Sequence, residues 1–359
     1  LAGMQRLLAR EVITPRGPIG PAAVVVDGDR IMGVERVVGA VPDRTLAPGF
    51  VDLQVNGIGD VDVASADGSD WDALDAALLA QGVTTWCPTL ITAPLDAYAT
   101  PLDRIAARAA ETSGRLRPHI AVAHLEGPFL GGAPGAHPKH LIRAPDLEWL
   151  GALPAIVRVM TLAPEQPGAL DAIALLVRRG VVVSLGHSNA TFEQATAAVD
   201  AGATLVTHCF NGMGPLHHRV PGLVGAALSD DRLTACVIAD LVHLHPATLT
   251  TVLRAKGPER SVLVTDSVAW TGAAGSAPRL ADGTLAGSVL AMDQAVRNII
   301  TRCGATLADA VAAASTVPAA LLGLCDRGAI EAGRRADLVA LGPDLRVGAV
   351  WVGGTAVDA

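Results

Sequence analysis

Aromatic residues and positive charge are scarce in this sequence, and both shortages limit what the protein can be. Aromatic side chains make up 3% of the 359 residues although hydrophobic residues make up 50%, so the core must be built from Val, Leu, Ile and Ala. The net charge is -8 at pH 7 and the pI is near 5.6, which leaves no basic surface of the kind that binds nucleic acid. An anionic substrate therefore requires a local positive pocket.

Paired cysteines and long apolar runs are also missing. The five cysteines are widely spaced and include no CxxC pair, which indicates free thiols in a reducing compartment. No apolar run has membrane-spanning length, because Asp171, Arg178 and Arg179 interrupt one candidate and Pro318 interrupts another. The first residues carry charges and no apolar signal core. We therefore expect a soluble, cytoplasmic protein.

Apolar segments alternate with Ala-rich helical segments through most of the chain. Eight such units in about 250 residues are typical of a (β/α)8 barrel of the TIM type. A doubly wound sheet is the alternative, but it would gather its site residues at one switch point. The strands are predicted at 48–53, 83–89, 118–125, 155–162, 181–186, 203–208, 233–240 and 261–265. The helices are predicted at 70–81, 95–112, 168–179, 191–201, 246–256, 290–303, 306–315 and 318–325.

The two ends of the chain have a different pattern from the middle. Residues 1–46 alternate short β runs with turn signals, and the tail after residue 334 returns to β-type sequence. Pairing these ends would form a small β-sandwich. We expect one domain from residues 1–46 and 335–359, and a barrel with hydrolase activity from residues 47–334.

Four polar residues stand at the ends of predicted barrel strands. Glu126 ends AVAHLE, His187 follows VVVSLG, His208 follows GATLVT, and Asp266 ends RSVLVTD. Chemistry in such barrels lies at the carboxyl ends of the strands. One Glu and two His leave an open coordination position, as catalytic zinc sites require, and Asp266 is free to transfer protons.

Each of the four residues has a plainer interpretation when taken singly. A histidine at a strand end can be a capping or core residue, and Asp266 can be the N-cap of a turn. Their convergence is harder to explain without a metal. A bound metal lowers the pKa of water from about 15.7 to about 7. No side-chain base has an effect of comparable size on the formation of hydroxide.

Several motifs, together, resemble one known family. They are, in chain order, PGFVDLQVNG, HLEGPF with GAHPKH, GHSNAT, THCFNGM, VIADLVHLHP, VLVTDS, LAGS and ADLVALGPDLRV. This series is similar to that of the N-acetylglucosamine-6-phosphate deacetylases of the amidohydrolase superfamily, and it covers nearly the whole chain. HLEGPF with FNGM is specific within that superfamily, whereas the tail motif is widely shared.

The resemblance implies a reaction and a set of roles. The N-acetyl amide of N-acetylglucosamine 6-phosphate would be hydrolysed to acetate and glucosamine 6-phosphate by a metal-activated water. Glu126, His187 and His208 would bind one divalent ion per subunit, with Zn²⁺ expected and Fe²⁺ or Co²⁺ as alternatives. Asp266 would be the general base and acid. His137 and His243 would contact the substrate, and one of them would polarise the amide carbonyl.

The resemblance also implies substrate-binding positions and a partner subunit. Arg219 would bind the phosphate in the neighbouring subunit's site, so a homodimer is expected; without the resemblance, Arg219 with His217 and His218 would be a solvated loop. The sugar-binding positions are Ala136, Asn211, Gly212, His243, Leu285, Ala286, Gly287 and Ser288.

One motif departs from the superfamily pattern. Many amidohydrolases have His-x-His at the end of the first strand, where this chain has Gln54-Val55-Asn56. Amide side chains are weak metal ligands beside imidazole, so we expect the second metal position to be empty. Gln54 and Asn56 are then expected to support the groups around the metal or to hold water, rather than to bind metal directly, and both are candidate substrate-binding residues.

Two other functions remain open from the sequence. The first is a different amidohydrolase, such as a cyclic-amide hydrolase or an aminohydrolase, although those resembling dihydroorotase typically use His-x-His and a bridging lysine. The second is a non-catalytic sugar-phosphate binding protein, against which Asp266 argues because a binder has no use for a proton shuttle.

Overall fold

The computed structural model describes residues 3–112, 114, 116–272 and 277–357. Its largest sheet has nine strands, all in parallel pairs, and eight of them form the predicted barrel. The ninth, His119–Ile120, pairs with the start of the second barrel strand. In order round the barrel, the strands are Phe50–Val55, Val83–Ile91, Ala123–Glu126, Val157–Leu162, Val182–Leu185, Leu205–Val206, Thr234–Ile238 and Ser261–Val264.

The first and last barrel strands close the barrel without a continuous ladder. The amide of Asp266 donates to the carbonyl of Gln54 at 3.0 Å, and the amide of Asn56 donates to that of Ser267 at 2.8 Å. Val55 and Ser267 form an isolated parallel bridge. These bonds place Asp266 beside Gln54 and Asn56.

Helices cover the outside of the barrel and follow the predicted positions closely. The predicted helix at 95–112 is a 3-10 turn, Leu95–Tyr98, followed by an α-helix, and the one at 306–315 ends in a π-helical turn, Ala312–Thr316. The α-helices are Asp70–Ala80, Ala99–Ala110, Leu147–Gly151, Ala169–Arg178, Phe192–Asp200, Gly222–Ser229, Pro246–Lys256, Met292–Cys303, Leu307–Val311 and Val317–Leu321. A second 3-10 turn is Lys139–Leu141.

Two of these helices, Leu147–Gly151 and Gly222–Ser229, were not predicted. The first has five residues, too few for a periodic pattern, and the second is apolar on nearly all sides. Within the described residues, every helix is too short or too polar to span a membrane. All five cysteines are free thiols, as their spacing predicts.

The ends of the chain form two further sheets around their own core, which confirms the predicted sandwich. One sheet has three antiparallel strands from the first part of the chain, Gln5–Ala9, Ala22–Asp27 and Arg30–Arg36. The other has six strands and mixes both ends, in the order Thr355–Val357, Val347–Val352, Leu338–Leu341, Thr45–Pro48, Glu11–Thr14 and Gly17–Ile19. Leu7, Val24, Leu46, Leu338 and Trp351 are among the residues buried between them.

Candidate active site

The four polar residues at the strand ends face one cavity of about 490 Å³. Glu126 is the last residue of its strand, and the other three, His187, His208 and Asp266, each follow their strand by two residues. All four are buried, with at most 8% of each residue exposed. The cavity therefore lies at the carboxyl-terminal mouth of the barrel, where the sequence predicts it.

The backbone is left-handed at three of these four residues. The φ angles of His187, His208 and Asp266 are 48°, 27° and 47°, a region that residues with a Cβ rarely adopt. Each such conformation costs on the order of 1–3 kcal/mol and persists where the surrounding structure enforces it, typically at functional sites. The nearby position 212 requires glycine, because a Cβ there would lie 2.7 Å from Nδ1 of His187.

Three potential ligand atoms form a small triangle in the cavity. Oε1 of Glu126 is 3.0 Å from Nε2 of His187 and 3.0 Å from Nε2 of His208. The two Nε2 atoms are 3.1 Å apart. These separations suit three ligands of one ion with metal–nitrogen and metal–oxygen bonds of about 2 Å.

The outer nitrogens of the two histidines indicate which tautomer is present. Nδ1 of His187 is 3.3 Å from the carbonyl oxygen of Ala133, and Nδ1 of His208 is 3.1 Å from that of Asn211. Because a carbonyl oxygen only accepts, each Nδ1 carries the hydrogen in the neutral ring, and each Nε2 then presents a lone pair. Three electron-rich atoms facing one another are favourable only around a cation, so the donor set fits a divalent metal.

The hydrogen bonds of Glu126 also shift pKa values in this cluster. Burial would raise the pKa of Glu126, but hydrogen bonds with His187 and His208 hold it well below the ordinary value. Burial would lower the pKa of His208, but Glu126 raises it above the ordinary value. The hydrogen bond between Glu126 and His208 thus contributes to both shifts.

His137 lies against the same cluster, and its hydrogen bonds distinguish it from the ligands. Glu126, His137 and His187 are also close enough to hold a metal, but Nε2 of His137 is 3.8 Å from Oε2 of Glu126. Its Nδ1 accepts from the backbone amide of Thr92 at 3.4 Å and lies 2.8 Å from the Thr92 hydroxyl. Burial, together with His187, lowers the pKa of His137 to about 3. The ring is therefore neutral, with its hydrogen on Nε2, and acts as a donor.

Asp266 is held by the two amide side chains of the first strand. Nε2 of Gln54 and Nδ2 of Asn56 both donate to its Oδ1, each at 2.9 Å. Burial and the nearby carboxylate of Glu126 raise the pKa of Asp266 to about 8. Within the described residues, Oδ2 has no hydrogen bond to the protein and is available for proton transfer. Oδ1 of Asn56 is buried and has no partner there either.

His243 is oriented by Asp240, which the sequence analysis did not identify. Nδ1 of His243 donates to Oδ2 of Asp240 at 2.7 Å. Burial would raise the pKa of Asp240, but the interaction with His243 outweighs it and the pKa is lowered. Nε2 of His243 is left for the cavity, which His243 lines. The three-residue spacing in DLVH was the signal that could have revealed the pair.

The other predicted substrate-binding residues divide into two groups. Those that line the cavity are Asn56, Ala136, Asn211, Gly212, Leu285, Ala286 and Gly287. Gln54, Ser288 and Arg219 do not line it.

Each residue outside the cavity has a different environment. Gln54 is 1% exposed and faces Asp266. Ser288 is buried, its hydroxyl donates to the carbonyl of Thr265 at 2.6 Å, and its amide donates to that of Asp266 at 2.9 Å. Arg219 is exposed, with Nη1 2.8 Å from Nε2 of His218. Within one chain, Ser288 thus holds the backbone of Asp266, and Arg219 lies outside the site.

Glu165 is a further residue that the sequence did not reveal. Its Oε1 accepts from the amides of Gly132 at 3.1 Å and Asn189 at 2.8 Å, and its Oε2 accepts from the hydroxyl of Ser188 at 2.6 Å. Glu165 therefore ties the loop that carries His137 to the turn after His187. These contacts join segments far apart in the chain, so no local pattern announces them.

Comparison with known proteins agrees with this geometry. The family model described as "Amidohydrolase family" matches residues 45–357. The chain is 38% identical to an N-acetylgalactosamine-6-phosphate deacetylase of Escherichia coli O157:H7, over 97% of this chain and 98% of the relative. It is 37% identical to the human N-acetylglucosamine-6-phosphate deacetylase, over 98% of this chain and 92% of the relative.

Solved structures are similar over the whole length. The N-acetyl-D-glucosamine-6-phosphate deacetylase of Mycobacterium smegmatis, solved as a variant in complex with N-acetyl-D-glucosamine-6-phosphate, has a TM-score of 0.90 at 36% identity and covers 99% of this chain and 100% of its own. The N-acetylglucosamine-6-phosphate deacetylase of Thermotoga maritima has a TM-score of 0.91 at 32% identity and covers 99% of each chain. On the family match and these full-length similarities, the chain belongs to the amidohydrolase family.

Proposed function

We propose that this protein hydrolyses the N-acetyl amide of N-acetylglucosamine 6-phosphate to acetate and glucosamine 6-phosphate. The observation that carries the proposal is the convergence of Glu126, His187 and His208 within 3.1 Å of one another. Asp266 lines the same cavity. The full-length relatives named as deacetylases of acetylated amino sugar phosphates support the choice of substrate.

We propose that Oε1 of Glu126 and the Nε2 atoms of His187 and His208 bind one divalent ion, with zinc first because an open three-ligand Glu/His set suits it. Fe²⁺ and Co²⁺ also suit this set. When bound, such an ion polarises the amide carbonyl and lowers the pKa of water at the site. The NH2 groups of Gln54 and Asn56 donate to Asp266, and amide oxygens are weak metal ligands beside imidazole, so we propose a single ion.

Asp266 would move the proton in this reaction. Its Oδ1 is fixed by the two amide side chains, so Oδ2 takes the proton of the attacking water as the new C–O bond forms. The same oxygen then returns the proton to the nitrogen as the C–N bond breaks, which releases the amine and acetate. The raised pKa of Asp266, about 8, allows the carboxyl group to hold the proton between these steps.

His137 would stabilise the negative charge on the carbonyl oxygen in the transition state, and His243 would contact the substrate. Nε2 of His137 carries a hydrogen and cannot readily become charged, because its pKa is lowered to about 3 by burial and His187. A neutral, preoriented donor is suited to a developing oxyanion. His243, fixed by Asp240, would contact the sugar or the carbonyl oxygen.

The assembly and location are parts of the same proposal. The guanidinium of Arg219 is exposed and outside its own cavity, which suits a residue that reaches the site of a second subunit in a homodimer. Five free thiols and a phosphorylated sugar substrate suit the cytoplasm.

The C4 epimer is a second candidate substrate. The E. coli relative named for the galactosamine substrate is 38% identical, and the human relative named for the glucosamine substrate is 37% identical. This difference does not separate the two sugars. Acetate release from both epimers, measured side by side, would rank them.

Acetate release by the purified protein tests the proposed function. The wild type should release acetate from N-acetylglucosamine 6-phosphate, and Asp266→Asn should reduce turnover by at least about a hundredfold, the low end of general acid–base contributions. The variant should still bind metal, because Asp266 is not a ligand. No acetate from the metal-loaded wild type would overturn the function, and full activity of Asp266→Asn would overturn the mechanism.

A further inference from the structure

We propose that Arg279 is a phosphate-binding residue that acts on the substrate of its own subunit. This inference rests on the proposed function and adds a residue to it. Arg279 lies on a β-hairpin beside the cavity, where it forms a bridge with Leu285. Arg279 lines the same cavity as Glu126 and Asp266.

The charges that line the cavity give the first argument. Among the described residues that line it, Arg279 is the only arginine or lysine, whereas Glu126 and Asp266 are carboxylates. A phosphate ester carries between one and two negative charges at neutral pH, with a second pKa of about 6. A group of this charge at the mouth of the cavity is stabilised by a nearby guanidinium. Arg219 lies outside the cavity of its own chain, so Arg279 is the cation that one chain supplies.

The hairpin holds Arg279 in place, which is the second argument. The amide of Leu280 donates to the carbonyl of Thr284 at 2.9 Å, and the amide of Ala286 donates to that of Pro278 at 3.0 Å. Nη1 of Arg279 donates to the carbonyl of Gly283 at 2.7 Å. One edge of the guanidinium is thus fixed on the hairpin. The other N–H groups have no hydrogen bond to the described residues, and we infer that they make the forked contact of guanidinium with phosphate.

The surroundings of the hairpin give the third argument. Asp282 on the same hairpin carries a negative charge, and its pKa is lowered by hydrogen bonds with Thr284 and, in smaller part, by Lys139. The positive charge of Lys139, in the 3-10 turn after His137, thus offsets part of the charge of Asp282. Arg279 is exposed, so a phosphate at the mouth can meet it while the acetyl end of the sugar reaches the buried cluster.

The test compares phosphorylated and unphosphorylated substrates. For Arg279→Gln, kcat/KM for N-acetylglucosamine 6-phosphate should fall at least about tenfold more than kcat/KM for N-acetylglucosamine, mainly through KM, because a charged hydrogen bond to the phosphate is lost. Arg279→Lys should recover part of the loss. Arg16→Gln is the matched control, since Arg16 is exposed in a turn of the six-stranded sheet and should leave the ratio unchanged.

Equilibrium binding keeps this test separate from the proposed function. Calorimetry with glucosamine 6-phosphate and glucosamine should show that Arg279→Gln loses the preference for the phosphorylated sugar, whether or not the wild type releases acetate. Equal losses on both sugars would overturn the inference, because they indicate a structural role. An unchanged preference would overturn it too, even if acetate release proves the function.

Discussion

At the scale of single residues, the contacts of Asp266 explain the amide pair on the first strand. Gln54 and Asn56 were expected to support the groups around the metal or to hold water, and both donate to Oδ1 of Asp266 at 2.9 Å. Two N–H groups on one carboxylate oxygen stabilise the ionised form and fix its orientation. The amide side chains thus serve the proton-transfer residue.

Removal of one donor should change the pH dependence. In Asn56→Ala the ionised form of Asp266 loses a hydrogen bond, so its pKa, already raised by burial, should rise further. A hydrogen bond to a charged group contributes about 1.5–3 kcal/mol, which corresponds to about one or two pH units. The acidic limb of kcat/KM should therefore move to higher pH by that amount. A limb at the wild-type position would show that Asn56 does not act on Asp266.

The sequence predicted some features of the site and could not predict others. Glu126, His187, His208 and Asp266 were found because they end apolar strands, and parallel strands bring such ends together. The left-handed backbone of three of them was not predictable, since it depends on enclosing contacts. The tautomer of His137 depends on Thr92, 45 residues earlier in the chain, and no spacing rule connects the two.

At the scale of secondary structure elements, one buried carboxylate adds to the backbone hydrogen bonds that join the first and last barrel strands. Asp52 is 0% exposed. Its Oδ1 accepts from the amides of Gln54 and Thr265 at 3.2 and 3.3 Å, and its Oδ2 accepts from the Thr265 hydroxyl at 2.6 Å. Asp52 therefore links the strand that carries Gln54 to the strand that precedes Asp266.

This carboxylate should make stability depend on pH. Burial raises the pKa of Asp52 from 3.8 to about 7 against the opposing hydrogen bonds. Between these values the folded chain binds more protons than the unfolded chain, so the free energy of unfolding falls as pH rises. Asp52→Asn cannot titrate and should lack this decline, which amounts to about 4 kcal/mol at 1.36 kcal/mol per unit.

Urea denaturation of both proteins at pH 4.5 and pH 7.5 measures the difference in slope. Asp60→Asn, at an exposed position, is the matched control and should follow the wild type. Parallel slopes for the wild type and Asp52→Asn would contradict the assignment.

Strand and helix positions themselves were largely predictable from apolar periodicity. The role of Asp52 was not, because the sequence shows only an acidic residue within an apolar strand.

At the scale of the whole molecule, the two ends of the chain meet in one sheet. The return to β-type sequence after the barrel predicted this pairing. The antiparallel pairing of Leu338–Leu341 with Thr45–Pro48, and the parallel pairing of Glu11 and Val12 with Thr45 and Leu46, were not predictable. Several strands of similar length and composition could fill each place, and only packing selects among them. The boundary between the two proposed domains stays a prediction.

The proposed dimer makes a prediction about mixed subunits. Arg219→Ala and Asp266→Asn should each be nearly inactive as separate homodimers. If Arg219 acts in the partner's site, a hybrid dimer of the two variants has one complete site of its two. Random pairing makes about half of the dimers hybrids, so coexpression should recover about a quarter of wild-type activity. Acetate release by the coexpressed mixture measures it. No recovery above the sum of the two variants would place Arg219 outside the neighbouring site.

The most direct test of the account is a metal titration of the metal-free protein. Zinc would be removed with a chelator and added back in steps, with acetate release from N-acetylglucosamine 6-phosphate measured at each step. The account predicts that activity rises in proportion to the zinc added and stops rising at about one ion per chain, because Glu126, His187 and His208 form a single three-ligand site. Full activity of the metal-free protein, or a rise that continues to two ions per chain, would contradict it.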